Sequence, residues 1–204
     1  MFVMIKWSTF LLLLTALCIS NSSNAQSCQK TDLGIKAIVN STAIEIQYYT
    51  PSTVRVLKSP EGRPFTKESL SVIKKPQKTP FNVKQQGDLV NVRTAALNVV
   101  LNLKTGDIFY STANGELLLK EKREGAQFTP FNDAGNNTLT VQQSFVLDND
   151  EPIYGLGQQQ QGKMSQRNVT LHMVQGNLDD YVPFFQSVKG YGVFLGQLFP
   201  HGVY

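Results

Sequence analysis

The chain is poor in several residue types, and each shortage excludes something. Two cysteines in 204 residues cannot build the disulfide framework of a small secreted scaffold. Two histidines, His172 and His201, stand away from cysteines and carboxylates at metal-ligand spacing, so neither a metal nor a cofactor is expected. A formal net charge of only +4 argues against a binder that rests on many phosphate contacts, and no nucleic-acid partner is expected. Charged residues are 17% and hydrophobic ones 41%, which excludes a disordered tail. After residue 25 no long apolar run follows, so no transmembrane segment is expected. No segment there carries a helical stripe of useful length. Ser144 and Ser165 lack the setting of a nucleophile elbow. Gly155-Leu156-Gly157 lacks the third glycine and the following helix of a dinucleotide site. It reads as a tight turn or bulge between strands.

What is present begins with a leader. Lys6 precedes an apolar run from Trp7 to Ile19, and Ser23-Asn24-Ala25 offers small residues for cleavage. Residues 1–25 therefore read as a removable export signal, too short and too polar-flanked for a membrane anchor. The expected location is the periplasm, the cell surface or the medium. Cys18 leaves with the signal, so Cys28 is expected to be unpaired. Two readings of Cys28 stand: a lipid-attachment site, or a spare thiol near a frayed end.

The remainder alternates with period two. Ile44, Ile46 and Tyr48 share one face against Glu45 and Gln47. Leu89 to Arg93 alternates, as do Val99, Leu101 and Leu103. These are half-buried strands. Lys104-Thr105-Gly106-Asp107 and Asn114-Gly115 read as hairpin turns. Strands are expected over Ile108 to Ser111, Glu116 to Lys120, Leu139 to Leu147, Val169 to Val174, Val182 to Gln186 and Tyr191 to Phe194. Ser59 to Pro80 and Asn132 to Asn137 read as loops. About a dozen short strands with turns between them predict an all-β fold, an antiparallel β-sandwich or barrel.

Catalytic chemistry is sparse. Asp148, Asp150 and Glu151 cluster after a strand and read as a solvated turn, not a facing carboxylate pair. Asp179-Asp180 sits in Gln175-Gly176-Asn177-Leu178-Asp179-Asp180-Tyr181. Asn and Asp beside Tyr suit sugar hydroxyls and a ring face, and they equally suit a polar turn. Tyr48, Tyr49, Tyr154 and Tyr181 are the candidates for an aromatic platform or, alternatively, for core and rim packing.

Three blocks occur in order. Val92-Arg93-Thr94-Ala95-Ala96-Leu97-Asn98-Val99 leads to Leu103-Lys104-Thr105-Gly106-Asp107-Ile108 and Asn114-Gly115-Glu116-Leu117-Leu118. Glu151-Pro152-Ile153-Tyr154-Gly155-Leu156-Gly157-Gln158 is the second. Val182-Pro183-Phe184-Phe185-Gln186-Ser187 through Gly190-Tyr191-Gly192-Val193-Phe194 is the third. Together they resemble the N-terminal region of glycoside hydrolase family 31, the α-glucosidases and α-xylosidases, over about Leu33 to Phe194. The resemblance implies a galactose mutarotase-like β-sandwich at 26–194 that packs on its own catalytic barrel. It implies an oligosaccharide or polysaccharide-derived sugar as ligand, with Asn177, Asp179 and Asp180 in the loop that reaches it. The nucleophile and acid/base aspartates of such enzymes lie in the barrel, so no catalytic residue is expected in this chain. On this reading the chain is inert alone. The alternatives are a stand-alone carbohydrate-binding module and, more weakly, a mutarotase-like enzyme using His172.

Members of that family typically continue W-D-N-Y-S-P-T after the third block. This chain continues Leu195-Gly196-Gln197-Leu198-Phe199-Pro200-His201. Inserting one T before TGG GAC AAC TAT TCC CCC AC converts the first reading into the second. The resemblance thus implies a frameshifted tail at 195–204 outside the fold, the alternative being a real short terminus.

Overall fold

In the computed structural model of the chain, residues 28–64, 69, 71–160, 162–174, 177, 179–196 and 201–203 are described. The expected leader lies outside these residues. So do residues 197–200 and 204 of the expected tail. Among the described residues there is no helix, and hence none long and apolar enough to cross a membrane.

Two antiparallel sheets carry the main core. The first contains β1 (Cys28–Lys30), β2 (Gly34–Val39), β3 (Thr42–Thr50) and β4 (Thr53–Pro60), in that order. The second contains β5 (Asn82–Gln86), β6 (Leu89–Arg93), β7 (Leu97–Asn102), β8 (Ile108–Thr112), β9 (Leu117–Asp133) and β10 (Asn136–Val146). Its spatial order simply reverses the chain, from β10 to β5. Period-two alternation decides which face is buried. Ile44, Ile46 and Tyr48 of β3 face Val90, Val92, Val99 and Leu101 of β6 and β7 in one apolar cluster. Removing side chains of this size from water stabilises the fold by about 1.5–3 kcal/mol each. The chain is therefore an all-β antiparallel sandwich, as the alternation predicts.

Tyr48 corrects one expectation. It is not a platform for a ligand: its ring is 0% exposed, and its hydroxyl donates to the Val92 carbonyl at 2.8 Å. Position three of an Ile-x-Ile-x-Tyr face goes wherever the two isoleucines go.

A second correction concerns Asn132 to Asn137. Only Ala134 and Gly135 form the turn, and the flanking asparagines continue β9 and β10. Those strands extend as a two-stranded ribbon beyond a bulge. Phe145 pairs with Glu121, but Gln143 already pairs with Ala126, so residues 122–125 stand opposite Ser144 alone. The bulge is pinned from the turn between β7 and β8. Asp107 Oδ1 accepts the Glu124 N–H at 3.1 Å, and its Oδ2 accepts the Thr105 hydroxyl at 2.9 Å. Glu124 takes φ +53 there.

A buried ion pair ties the sheets together. Lys58 of β4 donates to Glu121 of β9, and also to the Gly106 carbonyl at 2.9 Å. Glu121 accepts the Ile108 N–H at 3.0 Å as well. Burial pushes the Glu121 carboxyl above its ordinary value, and the attraction of Lys58 offsets this only in part.

The chain then builds a smaller unit. β11 (Ile153–Gly155), β13 (Phe184–Ser187) and β14 (Gly192–Phe194) form a three-stranded antiparallel sheet. β12 (Leu171–Met173) pairs with β15 (His201–Val203). Leu156, Leu171 and Phe185 are its buried centre. Cys28 is half-buried in β1 against the main core, and burial pushes its thiol up.

Candidate functional site

The Gly155-Leu156-Gly157 segment is the tight turn that its composition suggests, and it builds the floor of the candidate site. All three residues take positive φ, at +113, +62 and +95. For Leu156 this backbone is costly. Its side chain is buried in the smaller core and its N–H donates to the Phe184 carbonyl at 2.8 Å. The amide of Gln159 donates to the Leu156 carbonyl at 2.8 Å and accepts from Gln166 at 2.9 Å. Gly157 is a case of close approach. A Cβ there would lie 1.9 Å from the Asp180 carbonyl oxygen.

That approach carries the candidate loop. Gln158 N–H donates to the Asp180 carbonyl at 2.7 Å, and Asp180 N–H returns to the Gln158 carbonyl at 3.0 Å. Asp179 is half-buried and already employed. Its Oδ1 accepts the Gln160 N–H at 3.1 Å, and its Oδ2 accepts the Tyr181 hydroxyl at 3.2 Å. Desolvation, the Asp179 charge and this hydrogen bond push the Tyr181 phenol up, so it stays a neutral donor. Asp180 and Asn177 are exposed. The structure thus brings Asp179, Asp180 and Tyr181 onto the Gly157–Gln160 segment. Gln175, Gly176 and Leu178 of the expected loop lie outside the described residues.

Glu151 is the residue that sequence reasoning missed. It is not part of a solvated turn: it is 4% exposed. Its Oε1 accepts hydroxyls of both Ser187 and Tyr191, and its Oε2 accepts the Asp148 N–H at 3.0 Å. Arg167 donates to its carbonyl at 3.0 Å. One carboxylate so holds the 148–151 turn to the hairpin between β13 and β14. Burial alone would push its carboxyl up. The hydrogen bonds from Ser187, Tyr191 and Asp148, with Lys189 nearby, outweigh burial and hold it below the ordinary Glu value. The sign follows. The contribution of Glu151 is fully present above the unfolded carboxyl pKa of about 4.3. It is lost as pH falls through the lower folded value. Glu151→Gln is expected to flatten the acid limb of the stability curve, measured as urea midpoints between pH 7 and pH 3. An unchanged acid limb in the variant contradicts this assignment.

Aromatic side chains gather on the outer face of the small sheet. Register pairs Phe184 with Phe194, Tyr154 with Gln186, and Gln186 with Gly192. These residues therefore share one side, opposite buried Phe185 and Ser187. Phe184 and Phe194 are 39% and 40% exposed. The Phe184 ring lies over Gly192, where a Cβ would fall 2.5 Å from its Cζ. Of the four tyrosines considered for a platform, only Tyr154 lies on this face.

His172 is exposed on β12. Among the described residues no group of three His, Cys, Asp or Glu is placed to hold a metal.

The glycosyl hydrolase 31 N-terminal galactose mutarotase-like domain matches residues 43–200. An α-xylosidase of Saccharolobus solfataricus is 27% identical over 166 residues, covering 74% of this chain and 21% of its own. An uncharacterized family 31 glucosidase of Pseudescherichia vulneris is 30% identical over 135 residues, covering 54% of this chain and 25% of its own. The crystal structure of a GH31 α-xylosidase from Xanthomonas citri superposes with TM-score 0.78 at 29% identity, over 82% of this chain and 19% of that one. A Flavobacterium johnsoniae GH31 dextranase shares the fold, with TM-score 0.66 at 22% identity. The chain thus spans about a fifth to a quarter of the length of these relatives.

Proposed function

We propose, for a chain that belongs to the family of glycosyl hydrolase 31 N-terminal galactose mutarotase-like domains, that it presents the Asn177–Asp180 loop to a sugar at the active site of an exported α-glycosidase acting on α-xylosides or α-glucosides. The carrying observation is the reciprocal backbone pairing of Gln158 with Asp180 over Gly157, which anchors the Asp180 end of this loop. Asp179, braced by Gln160 N–H and Tyr181, orients the loop, while exposed Asp180 and Asn177 offer an acceptor and an amide to sugar hydroxyls. The division of labour is binding here and acid–base chemistry in a catalytic domain against which this sandwich packs. The two most buried glutamates support that division. Glu121 and Glu151 are both committed to holding the fold. The sequence of residues 1–25 supports export.

The Tyr154, Phe184 and Phe194 face favours a second reading, a carbohydrate-binding surface that works without a catalytic partner. Titration calorimetry with xylosylated and glucosyl oligosaccharides separates the two. The loop reading expects Asp180→Asn to weaken binding about tenfold, the loss of a hydrogen bond to a charged group, with Phe184→Ala neutral. The opposite pattern supports the aromatic surface and overturns the loop.

A further inference from the structure

Sheet edges decide what a β protein pairs with, and the edges of this one are unequal. β1, at one end of the four-stranded sheet, has three residues. β4, at the other, carries Arg55, Lys58 and Pro60. β5 is five residues long and carries Lys84. Short edges, lysines and prolines are the usual guards against strand addition. β10 has none of them. Its eleven residues, Asn136 to Val146, include no charge and no proline.

The ribbon that β10 forms with β9 is also two-faced. Register sets Phe128 beside Val141 and Pro130 beside Leu139 on one side. Gln127, Thr129, Thr138, Thr140 and Gln142 lie on the other, with Phe131, 53% exposed, near its tip. A two-stranded ribbon with an uncovered apolar stripe is only marginally stable in water.

We propose that β10 pairs antiparallel with β10 of a second copy of this chain, across a two-fold axis centred on Thr140. Centring on Thr140 sets Leu139 opposite Val141 of the partner copy, which lie on one face. The two apolar stripes then fuse into a single strip. The same register sets Thr140 against Thr140, Thr138 against Gln142 and Asn137 against Gln143. No like charges meet at any of these positions, and Thr–Thr pairs are favourable across strands. A two-fold interface requires a surface complementary to itself, and an uncharged strand of this pattern supplies one. Two two-stranded ribbons become one four-stranded arm joining the two sandwiches. This association is independent of the sugar-binding reading.

Sedimentation of the purified chain tests it. The wild-type chain is expected to sediment as a concentration-dependent dimer. Thr140→Lys sets two ammonium groups face to face at the axis and is expected to weaken the dimer about tenfold or more. Thr140 is exposed, so at dilutions where both chains are monomeric the thermal midpoint of the variant should equal that of wild type. With Cys18 and Cys28 replaced by serine, Thr140→Cys is expected to cross-link two chains on oxidation. Directly opposed residues lie about 4.5–5.5 Å apart between Cα atoms, within disulfide reach. Thr129→Cys, one strand further in, is expected not to cross-link. A monomer up to the solubility limit overturns the proposal. So does a dimer indifferent to Thr140→Lys, or equal cross-linking at positions 129 and 140.

Discussion

Glu121→Ala is expected to destabilise the chain by about 3–5 kcal/mol, the cost of leaving one member of a buried ion pair without its partner. Lys58 and Glu121 have side chains only 9% and 4% exposed. Removing the carboxylate strands the ammonium between the sheets and takes the acceptor from the Ile108 N–H. The attraction within the pair is nevertheless not a large net stabiliser. Burial raises the Glu121 pKa despite the neighbouring lysine, so the charged form is held at a cost. Replacing both residues by methionine is therefore expected to recover about 2 kcal/mol of the single loss. The unmet Ile108 N–H, a desolvated donor worth about 1–3 kcal/mol, keeps recovery incomplete. Urea midpoints at pH 7 for Lys58→Met, Glu121→Met and the double methionine variant form the cycle. Additive losses would show that the two charges do not interact.

Gly157→Ala is the second large effect, expected at about 3 kcal/mol. Roughly 1 kcal/mol comes from placing an L side chain at φ +95. About 1 kcal/mol more comes from each of the two Gln158–Asp180 hydrogen bonds that the methyl group would break. The methyl has nowhere to go, because the atoms it meets are backbone: Asp180 O, Tyr181 Cα and Val182 N. The variant is expected to lose amide protection at Gln158 and Asp180 together, and oligosaccharide binding with it. Gly162→Ala is the control. It also sits at positive φ, +67, but with open space around it. Conformational strain alone should cost it about 1 kcal/mol and leave binding untouched. Equal effects at both positions would refute the floor-and-loop arrangement.

The main sandwich was legible because its signal is local. Ile44, Ile46 and Tyr48 alternate within one strand, and the turns at Gly106 and Gly115 mark where strands reverse. Long-range pairing was not legible. Glu121 lies just past the strand expected over Glu116 to Lys120, and nothing local ties it to Lys58, 63 residues earlier. Glu151 reads as part of an acidic turn until Ser187 and Tyr191 close over it from 36 and 40 residues away. Lys122-Arg123-Glu124-Gly125 lie past the strand expected over Glu116 to Lys120, whereas they form a bulge inside a longer one. At the candidate site the polar composition of Asn177 to Asp180 was visible. Its anchoring was not, since that rests on main-chain atoms of Gln158 whose side chain carries no sign of it. Phe184 and Phe194 were read only as strand residues. Their shared outward face follows from register, which depends on three strands at once.

The bulge at residues 122–125 also separates two alignments that a continuous ladder would lock together. On the sandwich side Phe145 keeps step with Glu121, and on the ribbon side Gln143 keeps step with Ala126. A slip or a two-residue insertion beyond the bulge is absorbed there and does not carry inward to Glu121. The arm from Ala126 to Gln143 can accordingly shift register while the ion pair and core behind it stay in frame.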